Sequence, residues 1–370
     1  MQQVGKPVTG KDFIGREKEL AMLIEYLKMG QSVVLVAPRR FGKTSLVLEA
    51  LQHLKQQKYY TAFIDVFSNP TLEMLSATIT REVLKNHMLN KQFAAARNSA
   101  TKLIQNINLK TVIDDFQFII DFADSAKDEW SLVSESINFV DTFSKKHNSK
   151  MVCAYDEFGD IRKFDPKGNL VKLFRANIQQ HTNSAYIFSG SYESVMQNMF
   201  VSSKAPFYRL ARIIHLGYLE KDISTEYLYS KFQQLGIDFN ESLPKEIVEK
   251  TIGHPYYTQL AFQQAILFRA LQHKLPNIDE LITEMLSAEK DYLEKVWEDI
   301  SGNREYVYTL KYIAESGQNI YKRLSSKRIN IARAIKKLEG MGFLFKDESK
   351  GYYLADPLFN LWINRNINNA

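Results

Sequence analysis

Hydrophobic positions in the first part of the chain gather into short unbroken runs, while those in the second part fall at helical spacing. Ser32-Val33-Val34-Leu35-Val36, Thr61-Ala62-Phe63-Ile64-Asp65, Met151-Val152-Cys153-Ala154-Tyr155 and Ala185-Tyr186-Ile187-Phe188-Ser189 are such runs, and Arg212-Ile213-Ile214-His215-Leu216 is a weaker fifth. Continuous apolar runs of this length suit strands buried on both faces, the pattern of a parallel sheet. After the first run a polar turn leads into Leu46, Leu48, Leu51 and Leu54, which recur at roughly helical spacing and predict a strand, loop and helix. Further helical patterns cover residues 72–89 and 130–143, and a patch at residues 112–122 alternates in a β-like way. The expected class is α/β, a parallel sheet with helices on both faces and a helical insertion at residues 70–150.

From residue 222 to 297 the pattern is almost wholly helical, broken at Gly253-His254-Pro255 and at Leu275-Pro276-Asn277. The last stretch predicts a helix at 306–314, a short helix and a longer one at 330–339. Two short apolar runs follow, Gly342-Phe343-Leu344-Phe345-Lys346 and Tyr352-Tyr353-Leu354, around a polar turn. Helices followed by a hairpin predict a winged helix-turn-helix. The expected division is a core at 1–221, a helical lid at 222–300 and the winged helix at 301–370.

With 370 residues, 45% hydrophobic and 24% charged, the chain is long enough for two or three domains and has the composition of a globular protein throughout. The single cysteine, Cys153, cannot form an internal disulfide and sits mid-run, as a core residue does. No stretch approaches the length of a membrane span, and the first residues lack the apolar run of a signal peptide. These features predict a cytoplasmic protein without a membrane partner. From residue 301 onward twelve Lys and Arg face six Asp and Glu, so this tail alone carries the whole formal charge of +6. It is the candidate for meeting an anionic partner.

The candidate chemistry begins at Ala37-Pro38-Arg39-Arg40-Phe41-Gly42-Lys43-Thr44, which fits the phosphate-loop pattern at every fixed position except the first, where Ala37 replaces Gly. In such a loop backbone N–H groups and a helix N-terminus cradle phosphate. Gly42 admits the phosphates, Lys43 supplies charge to the β- and γ-phosphates, and the Thr44 hydroxyl ligates magnesium. The third apolar run ends in Asp156-Glu157, the carboxylates a Walker B strand places at its C-terminal end: Asp156 for magnesium, Glu157 for the attacking water. Ser189-Gly190-Ser191 closes the next run and would put a small hydroxyl, that of Ser189, near the γ-phosphate. Arg209 and Arg212, near the fifth run, are candidates to reach phosphate in cis or from a neighbouring subunit, although surface arginines are common.

In this order the motifs resemble the archaeal-type ATPase family, a branch of the STAND group of AAA+-like P-loop NTPases. Phe13-Ile14-Gly15-Arg16-Glu17 is similar to that family's N-terminal box near the adenine, and Pro38 through Leu46 to its phosphate loop with paired arginines. Gly253-His254-Pro255 resembles its Gly-x-Pro lid motif, and Ala355-Asp356-Pro357-Leu358-Phe359-Asn360-Leu361-Trp362 its ending after a winged helix. The resemblance implies ATP or ADP with Mg2+ as cofactors. It implies contacts from Gly15, Arg16, Pro38, Arg39, Arg40, Phe41, Gly42, Lys43, Thr44, Ser45 and Ser189, with Pro255 packed on the base. Where the family has Tyr-Gly-Arg, this chain has Phe207-Tyr208-Arg209-Leu210.

Two functions fit. One is an ATP-hydrolysing switch, slow in turnover, whose nucleotide state positions the winged helix. The other is a DNA-associated binding module that uses ATP or ADP as a structural clamp. In the tail, Arg333, Lys336 and Lys337 lie on the face of the 330–339 helix opposite Ile331, Ala334, Ile335 and Leu338. That face suits duplex DNA without sequence reading, a protein partner, or solvent alone.

Overall fold

The computed structural model describes residues 4–88, 128–191, 193–203, 205–316, 320–321, 329–347 and 351–368. Strands β1 (Ser32–Val36), β2 (Tyr60–Asp65), β3 (Met151–Asp156), β4 (Ser184–Gly190) and β5 (Ala211–His215) form one parallel sheet in the order β2-β3-β4-β1-β5. These are the five apolar runs. β1 and β3 are buried along their whole length, which explains why they show no polar alternation.

Alternate residues of the strands serve two separate cores. Val33, Leu35, Val152, Ala154 and Ile187 face helices α1 (Glu17–Lys28) and α2 (Lys43–Gln56). Val34, Val36, Cys153, Tyr155 and Phe188 face α3 (Leu72–Met88), α4 (Glu129–Lys146) and α5 (Asn169–Ile178). Cys153 is fully buried there, and burial pushes its thiol up to about 12, so it is packed core. The helices flanking the insertion are thus the β2-to-β3 crossover, packed on the sheet; the β-like patch at 112–122 lies outside the described residues.

After β5 come α6 (Lys221–Gln234), α7 (Leu243–Thr251), α8 (Pro255–Gln272), α9 (Ile278–Ala288) and α10 (Lys290–Ser301). Local chemistry sets the breaks: Pro244 and Pro255 sit in the first turns of α7 and α8, and Asn277 with Glu280 makes a capping box at α9. Then follow α11 (Arg304–Glu315), α12 (Ile331–Gly340), the antiparallel pair β6 (Leu344–Asp347) and β7 (Gly351–Leu354), and α13 (Pro357–Ile363). One apolar cluster runs from Leu228 to Ile363 through all these helices. On α12, Ile331, Ala334, Ile335 and Leu338 are buried in it, while Arg333, Lys336 and Lys337 are exposed. No helix among the described residues is long and apolar enough to cross a membrane.

Candidate nucleotide-binding site

Position β1 between β4 and β5, and its C-terminal end becomes a crevice at the point where chain order reverses, the usual ligand position in an open parallel sheet. The loop leaving β1 turns through Arg40 (φ 66°) and Gly42 (φ 82°) and enters α2 at Lys43. Only Gly carries the second of these conformations without strain, and Gly42 leaves the α2 N-terminus open to an anion. Ala37 is not among the residues with positive φ, so alanine serves where the pattern has glycine. Lys43 is buried and its Nζ donates to the carbonyls of Ala37 at 2.9 Å and Pro38 at 2.7 Å, which arches the lysine back over the loop.

The register Val36↔Gly190 and Tyr155↔Phe188 brings the ends of β1, β4 and β3 to one edge. There Thr44 Oγ1 donates to Asp156 Oδ2 at 2.6 Å, and the Ser189 hydroxyl donates to Asp156 Oδ1. Asp156 is 4% exposed, and burial raises its carboxyl above the usual range against the opposing pull of the Ser189 and Thr44 hydroxyls. A hydroxyl and a carboxylate in contact are hard oxygen donors of the kind magnesium takes, with phosphate and water completing the shell. Among the described residues no three His, Cys, Asp or Glu side chains gather into a metal site made by protein alone. The donor set therefore fits a magnesium ion that arrives with a phosphate.

Glu157 follows in the left-handed region (φ 49°), which turns its side chain into the crevice. Its Oε2 accepts from the Ser191 N–H at 3.0 Å, and its Oε1 from the Ser191 hydroxyl. Ser189 is fully buried behind Asp156, and the hydroxyl that reaches the crevice is that of Ser191. The Ser-Gly-Ser alternation was the signal: residues two apart on a strand share a side, and only the later one clears the strand end.

The crevice is about 230 Å³, and its walls come from three parts of the chain. Gly42, Lys43, Thr44 and Ser45 form the floor beside Glu157 and Ser191. The N-terminal strap supplies Gly5 through Val8, with Phe13, Ile14 and Arg16 beyond it. Val8 N donates to Ser45 Oγ at 3.0 Å and Gly10 N to Glu49 Oε2 at 2.8 Å, which ties the strap to α2. Arg16 is buried, ion-paired to Glu19 at 3.0 Å and bonded to the Gly217 carbonyl. Leu219, Pro255, Tyr256 and Gln259 close the far side. Gly253 holds this side in place: it has φ 73°, and a Cβ there would lie 2.3 Å from the Leu219 carbonyl oxygen. Gly15 approaches the same Leu219, with a virtual Cβ 3.1 Å from its Cδ2.

Two phosphate-loop residues that line the crevice also make contacts beyond it. Phe41 is buried against His254, at 4.6 Å between ring centroids, with Tyr218 at 5.3 Å and Phe345 of β6 at 6.5 Å. Arg40 pairs with Glu289 at 2.6 Å between α9 and α10. Arg39 is exposed. Neither Arg209 nor Arg212 lines the crevice; both are exposed, and Arg209 lies over the ring of Tyr208. Sequence reasoning did not find the strap at Gly5–Val8, Ser191 as the partner of Glu157, or Glu289. Neither the strap nor Glu289 stands in a spaced motif; Ser191 stands in the Ser-Gly-Ser run, where the earlier serine was singled out.

A phosphate loop, an acidic strand end and this strand order define a P-loop NTPase of the AAA+-like α/β class. Residues 13–260 match the family described as the ATPase domain predominantly from Archaea, and the chain belongs to that family. Among solved structures it is similar to the Walker-type ATPase PABY2304 of Pyrococcus abyssi, at 19% identity, TM-score 0.70, covering 97% of this chain and 99% of that one. It is also similar to the ORC2 protein of Aeropyrum pernix in ADPNP-ADP complexes, at 13% identity and TM-score 0.56, covering 98% and 95%. At these identities the likeness is one of fold. No curated protein matches the chain.

Proposed function

We propose that the chain binds ATP with magnesium in this crevice and hydrolyses it slowly, as a switch whose nucleotide state sets the placement of its C-terminal helices and hairpin. The observation that carries this reading is the Thr44–Asp156 contact at 2.6 Å beside Glu157, at the mouth of a phosphate loop. The α2 N-terminus and the loop amides hold the phosphates, and Lys43 exchanges its two carbonyl partners for phosphate oxygens. Thr44 and Asp156 would hold magnesium, which when bound offsets the negative charge of the β- and γ-phosphates. The base lies against Pro255, with Phe13, Ile14 and Leu219 around it. Glu157 orients the attacking water and accepts its proton once it releases Ser191, and that prior hold makes the turnover slow.

The switch reading is also supported by the short path out of the site. Phe41 of the loop touches His254, His254 touches Tyr257 at 4.6 Å, and the Tyr257 hydroxyl donates to Asp356 Oδ2 at 2.6 Å. Asp356 in turn caps α13 through the Leu358 and Phe359 amides. We read residues 301–370 as a winged helix at the end of that path and residues 222–300 as its lid. The STAND assignment belongs to this same reading.

A second reading, a DNA-associated clamp with little turnover, is favoured by one observation: Arg333, Lys336 and Lys337 stand exposed together on α12. ATP hydrolysis with and without short duplex DNA, at two salt concentrations, separates the two. Stimulation by DNA that fades with salt ties the tail to the ATPase, and turnover indifferent to DNA assigns the basic face to a protein partner.

A further inference from the structure

Phosphate loops owe their affinity to backbone amides aimed at one point, so whatever fixes the loop backbone sets the affinity. In this chain the loop contains a residue other than glycine in the left-handed region, Arg40 at φ 66°. That conformation is unfavourable for a side-chain-bearing residue and persists only where surrounding contacts impose it. The contacts are specific. The Arg40 guanidinium lies over the ring of Tyr256 at 4.2 Å and over that of Tyr292 at 4.3 Å, and its Nη1 is 2.6 Å from Glu289 Oε2. The other oxygen of Glu289 accepts from the Tyr256 hydroxyl at 2.5 Å, so both oxygens of a carboxylate that is 8% exposed are used in the same cluster.

These partners come from two helices and the turn that joins α9 to α10. Tyr256 is the second residue of α8, next to Pro255 on the crevice wall; Glu289 lies between α9 and α10; Tyr292 is on α10. The loop is therefore gripped, through one side chain two residues before Gly42, by the helical part of the molecule.

We propose that Arg40 is a positioning residue of the ATP site: its capture by Tyr256, Tyr292 and Glu289 holds the loop turn that aims the Gly42–Lys43 amides, so helical placement and ATP affinity are coupled. This inference rests on the ATP reading above and adds the residue through which the helices act on the loop. The coupling is reciprocal, because any grip that favours ATP binding is itself strengthened when ATP is bound. A lysine at position 40 keeps the charge without the planar face that two tyrosines sandwich, so it replaces the arginine in part.

The test is steady-state ATP hydrolysis and direct ATP binding by the full chain, for Arg40→Ala, Arg40→Lys, Glu289→Gln, Tyr292→Leu and the Arg40→Ala/Glu289→Gln pair. Arg40→Ala and Glu289→Gln should each weaken ATP by about tenfold, with KM rising to match and kcat within about twofold of the unaltered chain. The pair should be no worse than either alone, because both changes open one latch. Arg40→Lys and the milder Tyr292→Leu should fall between, which keeps the test usable where a harsher variant folds poorly. Unchanged ATP binding in Glu289→Gln beside weakened binding in Arg40→Ala overturns the inference, as does additivity in the pair or a fall in kcat, since each makes Arg40 a direct phosphate contact. A chain that binds no ATP before any substitution overturns the ATP reading and this inference together, whereas the variant pattern in a chain that does bind ATP judges the inference alone.

Discussion

Ser191 holds both oxygens of the Glu157 carboxylate, its N–H on Oε2 at 3.0 Å and its hydroxyl on Oε1. A carboxylate so held is fixed in direction and must give up the Ser191 hydroxyl before it can take a proton from water. Ser191→Ala removes the hydroxyl and leaves the amide. A hydrogen bond of this kind contributes about 1 kcal/mol net, so turnover should rise about fivefold with KM for ATP unchanged. Phosphate release under saturating ATP reads this directly, and a large fall in kcat would instead make Ser191 a participant in hydrolysis.

The Thr44–Asp156 pair predicts how binding depends on magnesium. Asp156→Asn keeps the shape and an acceptor for Thr44 but removes the charge that a cation requires. ATP affinity of this variant in magnesium should fall to the value the unaltered chain shows in EDTA, a loss of about tenfold or more. Because burial disfavours the Asp156 charge, the nucleotide-free variant should be no less stable to urea than the unaltered chain. A variant that still responds to magnesium would move the cation elsewhere.

His254 makes acid stability a probe of the contact between loop and helices. Burial lowers its pKa to about 3, helped by the nearby charges of Arg40 and Arg16, and the rings of Phe41, Tyr218 and Tyr257 surround it. The unfolded chain takes up a proton near the ordinary value of 6.5, whereas the folded chain does not until about 3. Its contribution to stability is therefore present above 6.5 and is lost as the pH falls toward 3. Relative to His254→Phe, which packs without titrating, the unaltered chain should lose on the order of 2–3 kcal/mol between pH 7 and pH 4.5. Parallel denaturation curves for the two proteins across that range would contradict a buried neutral histidine.

Gly253 predicts a cost of another kind. With φ at 73° and the Leu219 carbonyl 2.3 Å from a virtual Cβ, Gly253→Ala must both strain the backbone and push the crevice wall outward. Stability to urea should drop by about 2 kcal/mol or more, and ATP affinity should fall with it because Leu219 lines the site. The matching change at Gly236, which also has positive φ but open space around it, should cost only the backbone share.

Much of this was legible in the sequence, because the physics that signals it is local. Strands buried on both faces must be apolar throughout, so Val33 to Val36 and Met151 to Tyr155 declared themselves, and the loop and acidic strand end follow them at fixed positions. Asn277 and Pro255 marked helix starts for reasons confined to one turn. What stayed hidden depends on pairs far apart in the chain. Glu289 is 249 residues from Arg40, and no periodicity links them. The strap at Gly5–Val8 has no regular pattern of its own and is fixed by Ser45 and Glu49. The Phe41 ring was legible as part of a loop motif, but its burial against His254 and Phe345 needed the folded chain.

Glu157 stands at the centre of this reading, as the residue that serves hydrolysis in a crevice that binds ATP. Measuring phosphate release and ATP affinity side by side for the unaltered chain and Glu157→Gln tests it most directly. The unaltered chain should release phosphate slowly and only with magnesium, and the variant should lose about a hundredfold or more in turnover with ATP binding retained. Equal turnover in the two proteins, or no ATP binding by either, would contradict it.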